Sequence, residues 1–333
     1  MTKKTVALFS GGLDSCLAVK LMLDQGIEVI AVHFDVDYFL SSNMDSGQEC
    51  SAETMARSLG ATVKKEKLGS EYIHMLMNPK FGYGKGVNPC IDCHIYMIKK
   101  AKEIMEQLGA SFIVTGEVLG QRPMSQRKDA LNIVDRETGT KGILLRPLSA
   151  LCFEATEPEK TGIVDREKLL GIQGRTRKGQ MELARKVGLA SYPSPGGGCM
   201  LTDANYARRI RHLFSRKENP EVFDFKILRL GRAINLSEKA CAVIGRDEKE
   251  NETLEGYRGF ADAFVVPVSF KGPSAAILGE FDESAIRDIG RMILHYGKKP
   301  EGNAVLQSVF HGKTTEFEVE SPFPENELKV CMI

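Results

Sequence analysis

Two spacings of apolar residues alternate through the first part of the chain. Thr5-Val6-Ala7-Leu8-Phe9 is a short apolar run, and Leu13, Leu17, Ala18, Leu21 and Met22 then recur at helical spacing. Gly26 closes that segment, and residues 27–34 are nearly continuous in apolar character, as in a parallel strand buried on both faces. Strand, helix and strand make one βαβ unit. A second follows: residues 46–59 read as a helix stopped by Gly60, and residues 61–66 alternate like a strand. Glycines and Pro79 mark a loop over 78–88, a helix is predicted over 95–108 with Gly109 at its end, and Phe112-Ile113-Val114 is another buried strand. Residues 144–149 give the last strand-like run of this region. Helical patterns are expected over 157–170, 179–187 and 205–217, and short strand-like segments over 223–230, 264–270, 275–278 and 305–309.

These elements predict an α/β chain in three parts. A Rossmann-like parallel-sheet domain spans 1–155, a helical segment with a cysteine loop and a basic helix spans 156–217, and a smaller α+β accessory domain spans 218–333. Composition changes this picture little. At 333 residues, 42% hydrophobic and 27% charged, the chain has the make-up of a soluble protein with room for two cores. No apolar run approaches the roughly 20 residues of a membrane helix, and Met1-Thr2-Lys3-Lys4 leads directly into the first strand, leaving no room for a cleavable signal. A cytoplasmic location is therefore expected. Eight cysteines in a reducing compartment suggest ligands or reactive thiols wherever they cluster. The net charge of +1 neither requires nor excludes nucleic acid, so basic patches have to be sought locally.

Candidate chemistry begins at Ser10-Gly11-Gly12-Leu13-Asp14-Ser15, between the first strand and the first helix. Paired glycines let backbone N–H groups approach a phosphate, and the following helix aims the positive end of its dipole at the same place. Ser10 and Ser15 add hydroxyl donors, and Asp14 is suited to holding Mg2+ against phosphates. The string resembles the S-G-G-x-D-S signature of the PP-loop ATP pyrophosphatases, and no Gly-Lys-Ser/Thr of a Walker A loop follows. That resemblance implies ATP as substrate, cleaved to AMP and pyrophosphate during adenylation of an acceptor. Ligands gather beyond the carboxyl ends of parallel strands, which makes His33 and Phe34, Thr115 and Gly116, and Arg146 candidates for nucleotide contact. A packed histidine, a core phenylalanine and a surface arginine are the alternative readings. PP-loop tRNA-modifying enzymes commonly carry a Thr-Gly pair at the strand end where Thr115 and Gly116 stand, and Glu117 stands where many of them have histidine.

Cys90 and Cys93 form a C-x-x-C at a helix start, open to zinc, redox and incidental readings. An isolated cysteine, Cys199, sits far along the chain in Tyr192-Pro193-Ser194-Pro195-Gly196-Gly197-Gly198-Cys199, a stretch that can be neither helix nor sheet interior. A PP-loop followed by Pro-Cys-x-x-Cys and a distant Gly-Gly-Cys resembles the tRNA thiolation enzymes that make 2-thiouridine and 4-thiouridine. In their iron–sulphur branch the resemblance implies a 4Fe-4S cluster on Cys90, Cys93 and Cys199, with zinc as the other occupant. In the cluster-free branch two of these positions serve as a catalytic and a partner cysteine. Either way Cys90, Cys93, Cys199 and Asp14 are the expected catalytic residues. Cys16, Cys50, Cys152, Cys241 and Cys331 lack partners at ligand spacing and read as structural.

Arg175, Arg177 and Lys178 precede the cysteine loop, and Arg208, Arg209 and Arg211 follow it. Basic runs are often only a solvated face, but runs flanking a reactive cysteine suit phosphate contacts to an RNA. Gly231-Arg232 and the charged segments after it resemble the NFACT-R modules associated with RNA. The expected function is ATP-dependent thiolation of a tRNA uridine, with inorganic sulphide or a cysteine desulphurase system as sulphur donor. Two rivals are a PP-loop sulphur transferase or ligase for a small molecule and a zinc-stabilised RNA-binding protein with a structural nucleotide site.

Overall fold

The computed structural model describes residues 2–35, 51–189, 192 and 199–333, and its chain divides into two compact units, Met1–Cys199 and Met200–Ile333. The helical segment expected over 156–217 is thus shared out: residues up to Cys199 belong to the first unit and the basic helix to the second. The first unit is α/β. It runs β1 (Lys4–Leu8), α1 (Leu13–Leu23), β2 (Glu28–Asp35), α2 (Ser51–Ser58), β3 (Thr62–Lys67), α3 (Ser70–Met77), α4 (Cys90–Gln107), β4 (Phe112–Val114), α5 (Lys128–Thr138), β5 (Leu144–Leu145), α6 (Glu157–Lys160) and α7 (Lys178–Lys186). All strand pairs are parallel, in the order β3-β2-β1-β4-β5. The strand order reverses direction at β1 and β4, and ligands of open parallel sheets collect at such a point. Val6, Ala7, Ala31, Val32, Phe112, Ile113 and Val114 are almost wholly buried, as their continuous apolar runs require.

Two helix expectations need correction. Residues 157–170 form only the single turn α6, closed by Gly162 at φ 72°, and a 3-10 turn over Arg166–Lys168. Helix α4 begins at Cys90 rather than Ile95: both oxygens of buried Asp92 accept backbone N–H groups, from Lys80 at 2.9 Å and Phe81 at 3.0 Å, which pins the preceding loop to the helix's first turn. The start of the expected helix over 46–59, Cys50 and the loop residues Pro193 to Gly198 lie outside the described residues.

The second unit is α+β. Its six strands are antiparallel in the order β11-β10-β8-β9-β7-β6, where β6 is Arg232–Asn235, β7 Ala240–Ile244, β8 Ala263–Pro267, β9 Ala275–Gly279, β10 Ala304–Phe310 and β11 Lys313–Val319. Helices α8 (Ala204–Arg216), α9 (Val222–Ile227), α10 (Glu248–Gly256), α11 (Glu283–Tyr296) and α12 (Glu325–Cys331) complete it. Residues 223–230, expected as a strand, form α9 instead. A capping box between Glu221 and Asp224 starts this helix, and the Arg209 guanidinium donates to the carbonyls of Leu228, Leu230 and Gly231 just past its end, at 2.8–2.9 Å.

Candidate functional site

The loop after β1 is shaped by contacts that leave little room. Gly11 has φ 74°, and a Cβ there would stand 2.9 Å from Ala52. Gly12 caps α1, its N–H 3.4 Å from the hydroxyl of exposed Ser10. Buried Ser15 donates to the Gly12 carbonyl at 2.8 Å, and its Oγ lies 3.3 Å from Ser10 Oγ. Gly116, just past β4, lies against the same loop: a Cβ would be 2.6 Å from the Ser15 nitrogen and 2.7 Å from the Asp14 carbonyl carbon. The two loops meet where the strand order reverses. His33 is buried and its Nδ1 donates to the Phe9 carbonyl at 3.0 Å, tying the end of β2 to the residue before the loop; the next residue, Phe34, is buried too.

Asp14 is the charged centre of this loop. Its Oδ2 accepts from Gln121 Nε2 at 2.7 Å and lies 3.8 Å from Arg177 Nη2. Oδ1 is buried with no hydrogen-bond partner. An uncompensated buried carboxylate oxygen is costly, and a Mg2+ ion is a ligand it fits. Gln121 in turn accepts from Nε2 of fully buried Gln180 at 2.8 Å. Neither glutamine carries a sequence signal; only the fold brings both to Asp14.

Thr115 and Arg146 have taken other partners. The Arg146 side chain is 4% exposed and donates to Glu117 at 2.9 Å and to both oxygens of Asp135 at 2.7 and 3.1 Å. The phosphate contact expected of Arg146 is corrected accordingly, because its guanidinium is committed inside the domain. Thr115 Oγ1 donates to Glu117 at 3.0 Å, and His94 Nδ1 donates to Glu117 at 2.7 Å. Burial alone would push the Glu117 carboxyl up, but Arg146 and then His94 overcome it and hold it down at about 2. Glu117 is therefore a buried anion that ties the β4 and β5 ends to the cysteine-bearing helix.

Cys90 and Cys93 lie one turn apart on α4. Cys93 shares a 3.0 Å hydrogen bond with Tyr72 Oη. Burial pushes its thiol up to about 12, with the phenol's hydrogen bond opposing and nearby Cys199 and Cys90 adding to the rise. Burial also raises Cys90, against a hydrogen bond from Asn88 and the charge of Arg122. Tyr72 feels all three sulphurs, Cys93 foremost. The fold thus brings Cys199 from the end of the unit into the neighbourhood of the C-x-x-C. Thiolates are the donors iron–sulphur clusters take, and these three are one fewer than the usual four. Among the described residues, however, no three His, Cys, Asp or Glu side chains stand close enough together to hold a metal ion.

The basic residues separate by environment. Arg175 and Lys178 are exposed, whereas Arg177 turns inward to Asp14. In the second unit Arg208 and Arg211 are exposed, and Arg209 is spent on the three carbonyls after α9. The RNA contact expected of Arg209 is corrected for that reason. Among the described residues no helix is long and apolar enough to cross a membrane.

Comparison with known proteins agrees with the resemblance read from the motifs. Residues 1–158 match the family described as Thiamine biosynthesis protein (ThiI), and residues 231–330 match the NFACT protein RNA binding domain. A probable tRNA sulfurtransferase of Thermococcus kodakarensis is 30% identical over 177 residues, covering 50% of this chain and 41% of that protein. A probable tRNA sulfurtransferase of Lysinibacillus sphaericus is 30% identical over 145 residues, 44% of this chain and 34% of its own length. The tRNA-specific 2-thiouridylase MnmA of Leptospira interrogans is 24% identical over 309 residues, 84% of this chain and 72% of that protein. The chain thus spans well under half the length of these sulfurtransferase relatives.

Proposed function

We propose that this chain, whose residues 1–158 are a PP-loop domain of the ThiI family and whose residues 231–330 are an NFACT RNA-binding domain, uses ATP to replace a uridine carbonyl oxygen of tRNA with sulphur. The observation that carries the reading is the loop of residues 10–15, pressed against Gly116 and holding Asp14 with a buried, unpartnered Oδ1, an arrangement suited to a phosphate chain and its metal ion. A carbonyl oxygen is a poor leaving group and AMP a good one. The uridine oxygen attacks the α-phosphorus of ATP and pyrophosphate departs; sulphur then attacks the activated carbon, and the C–O bond to AMP breaks. The backbone of residues 10–12 and the start of α1 hold the phosphates, with Asp14 Oδ1 as the Mg2+ ligand. Glu117 fixes the helix that carries Cys90 and Cys93 relative to that loop, so positioning and phosphate charge stabilisation are the protein's main contribution.

A 4Fe-4S cluster on Cys90, Cys93 and Cys199 is the finer part of the proposal; when bound, it would supply an iron without a protein ligand on which sulphide can be carried. Inorganic sulphide is then the donor to supply first. The RNA is held through exposed Arg175, Lys178, Arg208 and Arg211, and the site of action is the cytoplasm.

The test is iron, acid-labile sulphide and zinc content of protein purified without oxygen, together with thionucleoside analysis of tRNA incubated with ATP and sulphide. About four irons per chain, lost in each of Cys90→Ala, Cys93→Ala and Cys199→Ala, with thiouridine formed only by the wild type, is the expected result. Thiouridine without iron would remove the cluster and leave sulphide to attack the activated carbon directly. ATP turnover with a small acceptor and no thiouridine, or bound zinc with no pyrophosphate release, would sink the tRNA-thiolation reading.

A further inference from the structure

We infer that Arg177 is a phosphate ligand of the nucleotide site rather than an RNA contact; the inference rests on the ATP-binding part of the reading above and on no later step. The basic segment that contains Arg177 is fastened to the loop after β4. Gly174 N–H donates to the Leu119 carbonyl at 2.7 Å, and Leu119 and Gln173 form a parallel bridge. Ser149 Oγ joins the two strands of this contact, accepting from Leu119 N–H at 3.0 Å and donating to the Ile172 carbonyl at 2.6 Å. Gln180 and Gln121 extend the connection to Asp14. Arg177 therefore reaches the Asp14 loop by a fixed path.

Three arginines show what this position means. Arg146 and Arg209 have each committed donors to at least three short hydrogen bonds within their own units. Arg177 is about as inward-facing as a site residue should be, its side chain 25% exposed, yet Asp14 is its one charged or hydrogen-bonding partner among the described residues, at 3.8 Å. That distance is too long for a hydrogen bond. A planar guanidinium with its N–H donors unspent, aimed at a loop built to hold phosphate, suits bidentate phosphate recognition. Asp14 supplies the second observation, since its buried Oδ1 has no partner. A phosphate chain carrying Mg2+ completes both groups together: the ion goes to Asp14 and the phosphate oxygens go to Arg177. Neighbouring Arg175 and Lys178 face solvent and, among the described residues, have no such carboxylate beside them.

The experiment compares Arg177→Ala, Arg177→Lys and Arg175→Ala in the full chain, measuring equilibrium binding of Mg-ATP without RNA, and separately of tRNA over a salt series. Arg177→Ala is expected to weaken ATP by about tenfold or more, the loss of a charge-assisted hydrogen bond, with tRNA affinity within about twofold and its salt slope unchanged. Arg177→Lys should recover only part of the ATP affinity, because a lysine has no fork. Arg175→Ala should do the reverse, lowering the tRNA salt slope by about one and sparing ATP. ATP affinity unchanged in Arg177→Ala, whether or not tRNA binding falls, overturns the inference while wild-type ATP binding keeps the PP-loop reading. Failure of the wild type to bind ATP overturns both.

Discussion

Replacing Arg146 by methionine leaves Glu117 and Asp135 without the cation between them, and Glu117 is 5% exposed. Removing one member of a buried pair costs about 3–5 kcal/mol, a large part of the stability of an ordinary domain. The pH dependence gives a sharper test. In the wild type the Glu117 carboxyl is held at about 2 instead of an ordinary 4.5, a difference worth about 3 kcal/mol. Its folded value is depressed, so this stability is present above 4.5 and is lost as pH falls from there towards 2. In Arg146→Met the main attraction is gone and only His94 still opposes burial, so the carboxyl returns towards its ordinary range. The gap between wild type and variant should therefore be widest at pH 7 and shrink by about 2–3 kcal/mol as pH falls to 3. The chain has no tryptophan, so urea unfolding followed by far-ultraviolet circular dichroism at pH 7, 5, 4 and 3 is the assay. A gap below about 1 kcal/mol at pH 7, or one that stays constant with pH, would refute the placing of Arg146 and Glu117 as a buried pair.

Three further outcomes follow from the geometry. Gly116→Ala puts a methyl 2.6 Å from the Ser15 nitrogen and should weaken ATP binding by about tenfold or more with little change in the far-ultraviolet spectrum; undiminished binding would show that the two loops do not meet. Arg209→Ala strips three carbonyls of a charged donor and should cost about 2–3 kcal/mol on urea unfolding, while Arg208→Ala and Arg211→Ala stay within about 0.5 kcal/mol and each lower the tRNA salt slope by about one. In metal-free protein Cys93, with its thiol up to about 12, should resist iodoacetamide at pH 8, because the thiolate is the reactive form; rapid labelling of Cys93, read by mass spectrometry, would contradict its pairing with Tyr72.

Much of the first unit was legible because its signals are local. A β-branched run, a glycine pair and a helical repeat lie within residues 5–22, and β1, the loop and α1 stand where they predict. What the sequence ranks poorly is charge. Arg146 at a strand end and Arg209 within a basic run look like ligands by position, yet both are turned inward by carboxylates and carbonyls contributed by distant segments. Arg177 looks like part of a solvated run, and a loop 50 or so residues earlier draws it to Asp14. The misread strand over 223–230 has the same origin: its alternation is real, but a capping box and an arginine from another helix settle it as α9. Glutamines such as Gln121 and Gln180 have no periodicity and no charge, so only the folded chain reveals them.

The pair of glutamines behind Asp14 also gives that carboxylate a reach beyond its own loop. A carboxylate can only accept, so Gln121 must turn its amino end to Asp14 and its carbonyl to Gln180, which must then offer its own amino end. Two amides are thereby locked head to tail, and the last oxygen, Gln180 Oε1, is left buried and unanswered. The direction of the whole row is written by the charge at one end. The loop after β1 and the start of α7, which follows Arg177, thereby share one polarity, set by the charge of Asp14.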